Sequence, residues 1–237
     1  MQGFKKNILV DIHDVDFNGV ARASSLMKYI QSAAECQLTE GGLSYGELRK
    51  RERAFILSRI KMEFTENVGA YEPLVALTFP CTSRGYSFLR CYKILRDGET
   101  IGRAVSVWAL INTENHALVP VNDMELGLET YDPIEMPLSR IVIPKDAETV
   151  GTYTVNYADL DQNRHMNNTR YPDMYSNFLP LENKRIESIT ISYLAEAPAG
   201  DTLTVMRGEK DGFYYFRTIR SDGKLNSEAE IKLCDIK

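Results

Sequence analysis

At 237 residues, 43% hydrophobic and 26% charged, without a low-complexity tract, the chain has the composition of an ordinary globular protein and the length for one large domain or two small ones. A net charge of -5 disfavours a general nucleic-acid binder, and no apolar run approaches the roughly 20 residues of a membrane span. The opening MQGFKKNILVDIHDVD lacks the long apolar centre and small-residue cleavage site of a signal peptide, so a cytoplasmic protein is expected. The cysteines at 36, 81, 91 and 234 form no CxxC pair and have no histidine at ligand spacing, so neither a metal site, a disulfide framework nor any cofactor is expected.

The first distinctive stretch is DVDFN at 14–18, which returns 145 positions later as DLDQN at 159–163. Such a match is weak alone, because turns favour Asp and Asn. The residues after each copy strengthen it. After the first, Leu26, Tyr29, Ile30, Ala33, Ala34 and Leu38 fall on one helical face; after the second, Tyr171, Met174, Tyr175, Phe178 and Leu179 repeat that spacing, which predicts a second long helix over 168–180. Asn167 or Asn168 is the candidate N-cap there, and Pro172 fits only in the first turn. An alternating strand comes next in each half, with Ile60, Met62 and Phe64 inward in the first and Ile189, Ile191 and Tyr193 in the second. Further β-rich segments come after these, with hairpin signals at Asp97-Gly98, Asp211-Gly212 and Asp222-Gly223; the first and last of these occupy matching places.

Each half therefore reads strand, long helix, then about four antiparallel strands. Residues 1–112 and 149–237 are the expected units, joined by a linker at 113–148 that holds four of the nine prolines. The architecture is α+β, a sheet wrapped around a helix twice over, with the two sheets able to join as one.

In the second copy the polar residues crowd together as DLDQNRHMNN. In an extended segment Asp161, Asn163 and His165 share a face, where a carboxylate, an amide and an imidazole can hold a water or a carbonyl between them. The same cluster also reads as turn bonds from Asp161 and Asn163 and a cap from Asn168, with His165 incidental. The repeat favours chemistry, because the first copy keeps Asp16 and Asn18 but has Val20 where the second has His165. Glu196 lies just past the alternating strand of the second half, where the first half has Asn67; by base rate alone a loop glutamate is solvated. His13 and His116 lack partner sets, and Cys81 and Cys91 read as packed strand residues. The basic residues Arg49, Lys50, Arg51 and Arg53 form either a solvated face or a dock for an acidic partner.

The residues also resemble those of the acyl-acyl-carrier-protein (acyl-ACP) thioesterases of plant plastids and bacteria. The likeness runs from FILSRIKMEF through YKILRDGETIGRAVSVWALINTENHALVPV, and from ADLDQNRHMNNTRYPDMYSNFLP through IESITISYLAEA, so it spans nearly the whole chain. The NxHxNNxxY pattern at 163–171, followed by the Glu196 strand, is its most specific part. The resemblance implies a double hotdog fold and hydrolysis of fatty acyl-carrier protein to free fatty acid, with the acyl carrier protein as partner and 49–53 as its dock. It implies a catalytic set of Asn163 and His165, supported by Asp161, with Glu196 as the acidic partner and the base left open between Glu196 and His165. Many plant members have a cysteine directly after the glutamate; Ala197 stands there, so attack by water is expected instead of a covalent route. Leu26, Tyr29 and Ile30 are the expected wall of the acyl-chain slot, with Asn167 and Asn168 near the substrate. Alternatives at this point are an acyl-CoA thioesterase and a non-catalytic acyl-binding hotdog protein, as monomer or homodimer.

Overall fold

The computed structural model describes residues 3–124 and 126–236. The opening strand β1 (Phe4–Leu9) leads through the first DxDxN turn into helix α1 (Ala23–Glu40), then a short helix α2 (Tyr45–Lys50). Four long strands come next: β2 (Arg53–Phe64), β3 (Pro73–Pro80), β4 (Ser87–Arg96) and β5 (Glu99–Asn112). After β6 (Leu118–Val119) the chain repeats the plan with β7 (Glu148–Thr154), the second turn, α3 (Tyr171–Ser176), and then β8 (Lys184–Tyr193), β9 (Thr202–Lys210), β10 (Phe213–Ile219) and β11 (Leu225–Asp235).

All the strands join one sheet, ordered β1-β3-β4-β5-β2-β8-β11-β10-β9-β7, with β6 added on β5. The order reads the same from either end once each strand is matched with its repeat. The seam is the antiparallel β2–β8 pair, in register from Arg59↔Ser192 to Glu63↔Ser188. At the β4–β5 hairpin Asp97 (φ 52) and Gly98 (φ 88) both take the left-handed conformation that a tight two-residue turn demands, and Asp211 with Gly212 does the same between β9 and β10.

Helix α1 lays Leu26, Met27, Ile30, Ala33 and Ala34 on the core, where the first four-strand set wraps it. Its end is a Schellman stop: Gly42 takes φ 76, the Leu43 N–H reaches back to the Leu38 carbonyl, and the Gly42 N–H to that of Thr39. That stop holds Leu38 and Leu43 together at one end of the helix.

The second helix departs from expectation. Residues 168–170 form a 3-10 turn, and α-helix covers only six residues from Tyr171 to Ser176. Tight three-residue turns from Phe178 to Tyr175 and from Leu179 to Ser176 close it, and Pro180 has no N–H with which to extend it. Tyr175 still fills the core as expected, fully buried against Phe216, and Pro172 sits in the first turn.

The Pro-containing stretch between the halves is not slack. It pairs as β6 with β5, bonds through Tyr131 to the end of β3, and buries Met136 against Phe79, Cys81, Cys91 and Val105 on the face of the sheet opposite α1. Arg59 on the seam strand donates to the carbonyls of Leu138 and Ser139.

Candidate active site

Both DxDxN turns are the same device. In the first, Asp16 Oδ1 accepts from the backbone N–H of Asn18 (2.8 Å) and Val20 (3.2 Å); in the second, Asp161 Oδ1 accepts from Asn163 (2.8 Å) and His165 (3.2 Å). Each turn passes through one left-handed residue, Gly19 (φ 74) or Arg164 (φ 63). Each then bonds to the loop that follows a strand, β2 or β8, the Ala21 N–H to the Val68 carbonyl and the Met166 N–H to that of Ala197. Asn67 and Glu196 therefore occupy equivalent places, one residue before those carbonyls.

Identical backbones carry different side chains. His165 Nδ1 lies 3.2 Å from Glu196 Oε2, and the two segments are locked by a bridge between His165 and Pro198. The imidazole is 32% exposed and the carboxylate 57%, so the pair faces solvent. At the equivalent place Val20 is buried, and Asn67 accepts from the Arg185 guanidinium at 2.7 Å. Asn18 donates its amide to the carbonyls of Leu181 and Lys184, which ties the first turn to the second half. Asn163 instead accepts at Oδ1 from the Tyr45 hydroxyl (2.9 Å), so its Nδ2 is left as the outward donor.

The remaining candidates divide. Asp161 spends Oδ1 on backbone, as Asp16 does in the copy that lacks the histidine. Asn167 caps the 3-10 turn, its side chain accepting from the N–H and hydroxyl of Thr169. Asn168 offers its carbonyl to the Tyr193 hydroxyl. The N–H groups of Thr169 and Arg170 are both engaged by Asn167, so neither is available at the helix start to polarise a carbonyl.

Beside Asn163 opens a cavity of about 480 Å³ between α1, α2, the sheet and the loop residues Val121, Met124, Leu126, Leu128 and Thr130. Leu38, Leu43, Leu48, Phe55, Phe88, Trp108 and Leu126 give it an apolar lining, and Gln162, Asn163 and Tyr45 stand on the side of the second turn. None of Leu26, Tyr29 and Ile30 lines it. Leu26 and Ile30 belong to the core cluster, Leu26 also bordering a second cavity beside Val20 and Phe64, and the Tyr29 hydroxyl is held by Asp14 at 2.5 Å; burial and that carboxylate together push the phenol well above its usual range. The cavity begins a turn later on α1, at Gln31 and Ala34. Of the basic run, Arg53 lines the cavity, Lys50 pairs with Glu47, and Arg49 and Arg51 are exposed beside them.

Sequence reasoning missed Tyr45 and Asn226. The buried Asn226 takes the N–H groups of Leu194 and Ala195 on its carbonyl, and donates its amide to the Ala195 carbonyl and the Tyr171 hydroxyl, which fixes the backbone that presents Glu196. Partners 31 and 118 residues away leave no local signal.

Two helix-and-sheet repeats in one chain, sharing one sheet, with polar groups concentrated in the second turn, define a double hotdog protein of the α+β class. The chain belongs to the acyl-ACP thioesterase family: the family's N-terminal domain matches residues 1–126 and its C-terminal domain residues 143–234. It is 24% identical over 214 residues to the chloroplastic palmitoyl-acyl carrier protein thioesterase of Arabidopsis thaliana, covering 81% of this chain and 52% of that one. It is 25% identical over 225 residues to the chloroplastic oleoyl-acyl carrier protein thioesterase 2 of the same plant, covering 84% and 60%. The chain thus spans little more than half the length of these relatives. Among solved structures, an acyl-ACP thioesterase from Bacteroides thetaiotaomicron superposes with a TM-score of 0.87 at 25% identity over 97% of each chain. The 12:0-ACP thioesterase of Umbellularia californica shares the fold, with a TM-score of 0.86 at 19% identity over 98% of this chain and 97% of its own.

Proposed function

We propose that this chain hydrolyses the thioester of a fatty acyl chain carried on acyl carrier protein, releasing free fatty acid and the carrier thiol. The observation that carries the reading is the His165–Glu196 pair at 3.2 Å, present in one repeat only, with Asn163 beside an apolar cavity. The activity that the names of the relatives state is the second support.

A carboxylate on Nδ1 holds the N–H of His165 there and leaves Nε2 with a lone pair, the form that accepts a proton from water. His165 is therefore the base and Glu196 orients it. Water oxygen bonds to the acyl carbon as its proton passes to Nε2, the carbonyl electrons move onto oxygen, and Asn163 Nδ2 donates to that oxyanion. Collapse breaks the carbon–sulfur bond, and the imidazolium returns the proton to the leaving thiolate. Ala197 is fully buried and has no nucleophile to offer, in keeping with a direct attack by water. Neither a metal nor a cofactor is needed for these steps.

The acyl chain occupies the cavity of the N-terminal unit (1–112), roofed by the 113–148 segment, while the unit at 149–237 supplies the catalytic groups. Burial there gains about 0.8 kcal/mol per methylene. The basic residues at 49–53 dock the acidic carrier. A cytoplasmic location is part of this reading, and among the described residues no helix is long and apolar enough to cross a membrane. A sheet that joins its two halves within one chain needs no second copy, so a monomer suffices.

The test is thiol release from a panel of acyl chains, each offered on carrier protein and on coenzyme A. Turnover that favours the carrier is expected. Bound fatty acid without turnover on either carrier would instead make the protein an acyl-binding module.

A further inference from the structure

Two features of the cavity do not suit a plain hydrocarbon. Arg90, on β4, is 7% exposed and lines the cavity, yet its guanidinium has only neutral partners, Gln37 Oε1 at 2.6 Å and Thr78 Oγ1 at 3.1 Å. Among the described residues no carboxylate pairs with it, and burial lowers its pKa from the usual range. Gln31, on the α1 face that lines the same cavity, buries its amide Nε2 with no partner among the described residues. A buried cation without a counter-charge and a buried donor without an acceptor are both costly, and an apolar chain that displaced water from around them would raise that cost.

We propose that the cavity selects acyl chains bearing an oxygen substituent, a hydroxyl or oxo group, over unsubstituted chains of equal length, with Arg90 and Gln31 as the donors that read the oxygen. This rests on the reading of the cavity as the acyl-chain site. Gln31 lies on α1, and Arg90 on β4 reaches the same helix at Gln37, so both donors border the one cavity where an acceptor on the chain can meet them. A site built to hydrogen-bond a substrate oxygen discriminates against the analogue lacking it far more strongly than an apolar pocket discriminates by one methylene.

The test uses acyl amides of pantetheine, in which nitrogen replaces the thioester sulfur so that hydrolysis does not intervene, with a hydroxyl at successive carbons of one chain length and the unsubstituted chain as reference. Binding is followed by titration calorimetry and by the fluorescence of Trp108, the single tryptophan, which lines the cavity. At least one hydroxylated amide is expected to bind about tenfold more tightly than the reference, a preference reduced by Gln31→Leu and abolished by Arg90→Met. Should Arg90→Met fail to fold, Gln31→Leu decides alone, because its Nε2 has no partner to lose. The inference is overturned if the unsubstituted amide binds as tightly as every hydroxylated one, or if the preference survives undiminished in the folded variants. Binding of no amide at all would overturn it together with the acyl-site reading. Preferential binding without thioester turnover would leave the inference standing and remove the proposed hydrolysis.

Discussion

The two DxDxN turns are the most instructive pair of regions in the molecule. Asp16 and Asp161 brace the same backbone with the same two bonds at matching distances, and each turn docks on the loop after the equivalent strand. A second matched pair lies nearby: the Val10 N–H rests on the Glu72 carbonyl and the Val155 N–H on that of Asp201, and each acid pairs with an arginine, Arg96 or Arg220. Against that shared frame the side chains divide by task. Val20 packs inward and Asn67 holds Arg185, so the first turn braces the junction of the halves; His165 and Glu196 face solvent, and Asn163 of the same turn borders the cavity. On the proposed mechanism bracing and chemistry are thus separable, since the first needs only the aspartate and the second the pair that only one copy has.

That separation is open to attack at several points. Glu196→Ala is expected to lower kcat/KM by about 10²–10⁴ with the fold intact. If the two residues act as a unit, the double variant with His165→Ala will be little worse than the more damaging single variant, in kinetics and in melting temperature alike. Near-normal turnover in Glu196→Ala would remove it from the mechanism. A smaller effect separates the two aspartates. Asp16→Ala and Asp161→Ala should each cost about 1–2 kcal/mol in denaturant unfolding, from two lost backbone acceptors, but only Asp161→Ala should also slow turnover, by roughly tenfold, because it releases the backbone of His165. Equal turnover losses in both would show that the turns are coupled through the fold. The smallest effect belongs to the surface: charge reversal at Arg49 and Arg51 should raise KM severalfold for carrier-linked substrate and leave a small pantetheine thioester unchanged, an effect screened by salt. Equal changes on both substrates would reject the dock.

Much of this frame was legible in the sequence. Period-two strands, an Asp-Gly turn that needs two left-handed residues, and a repeated DxDxN are local patterns with local physical causes, and they yielded the twin units. A cap at Asn167 or Asn168 was readable for the same reason, and Asn167 takes that place. The second helix was overextended, because Phe178 and Leu179 keep the apolar spacing while already lying in the turns that precede Pro180. Leu26, Tyr29 and Ile30, the expected wall, do not line the cavity beside Asn163, because periodicity marks an apolar helix face without telling which part of it borders an open space. The Tyr45–Asn163 bond depends on how the halves meet, and the Asn226 clamp joins residues 31 apart within the second half. Nor does the proline content of the linker reveal that 131–138 pack on the sheet face opposite α1.

The most direct test compares the two equivalent positions in one assay: kcat/KM for carrier-linked acyl chains in the wild type, Val20→Ala and His165→Ala. The expected result is a loss of about 100-fold or more in His165→Ala, with Val20→Ala keeping wild-type turnover once corrected for the fraction folded. Comparable turnover in the two variants would contradict the assignment of chemistry to the second turn alone.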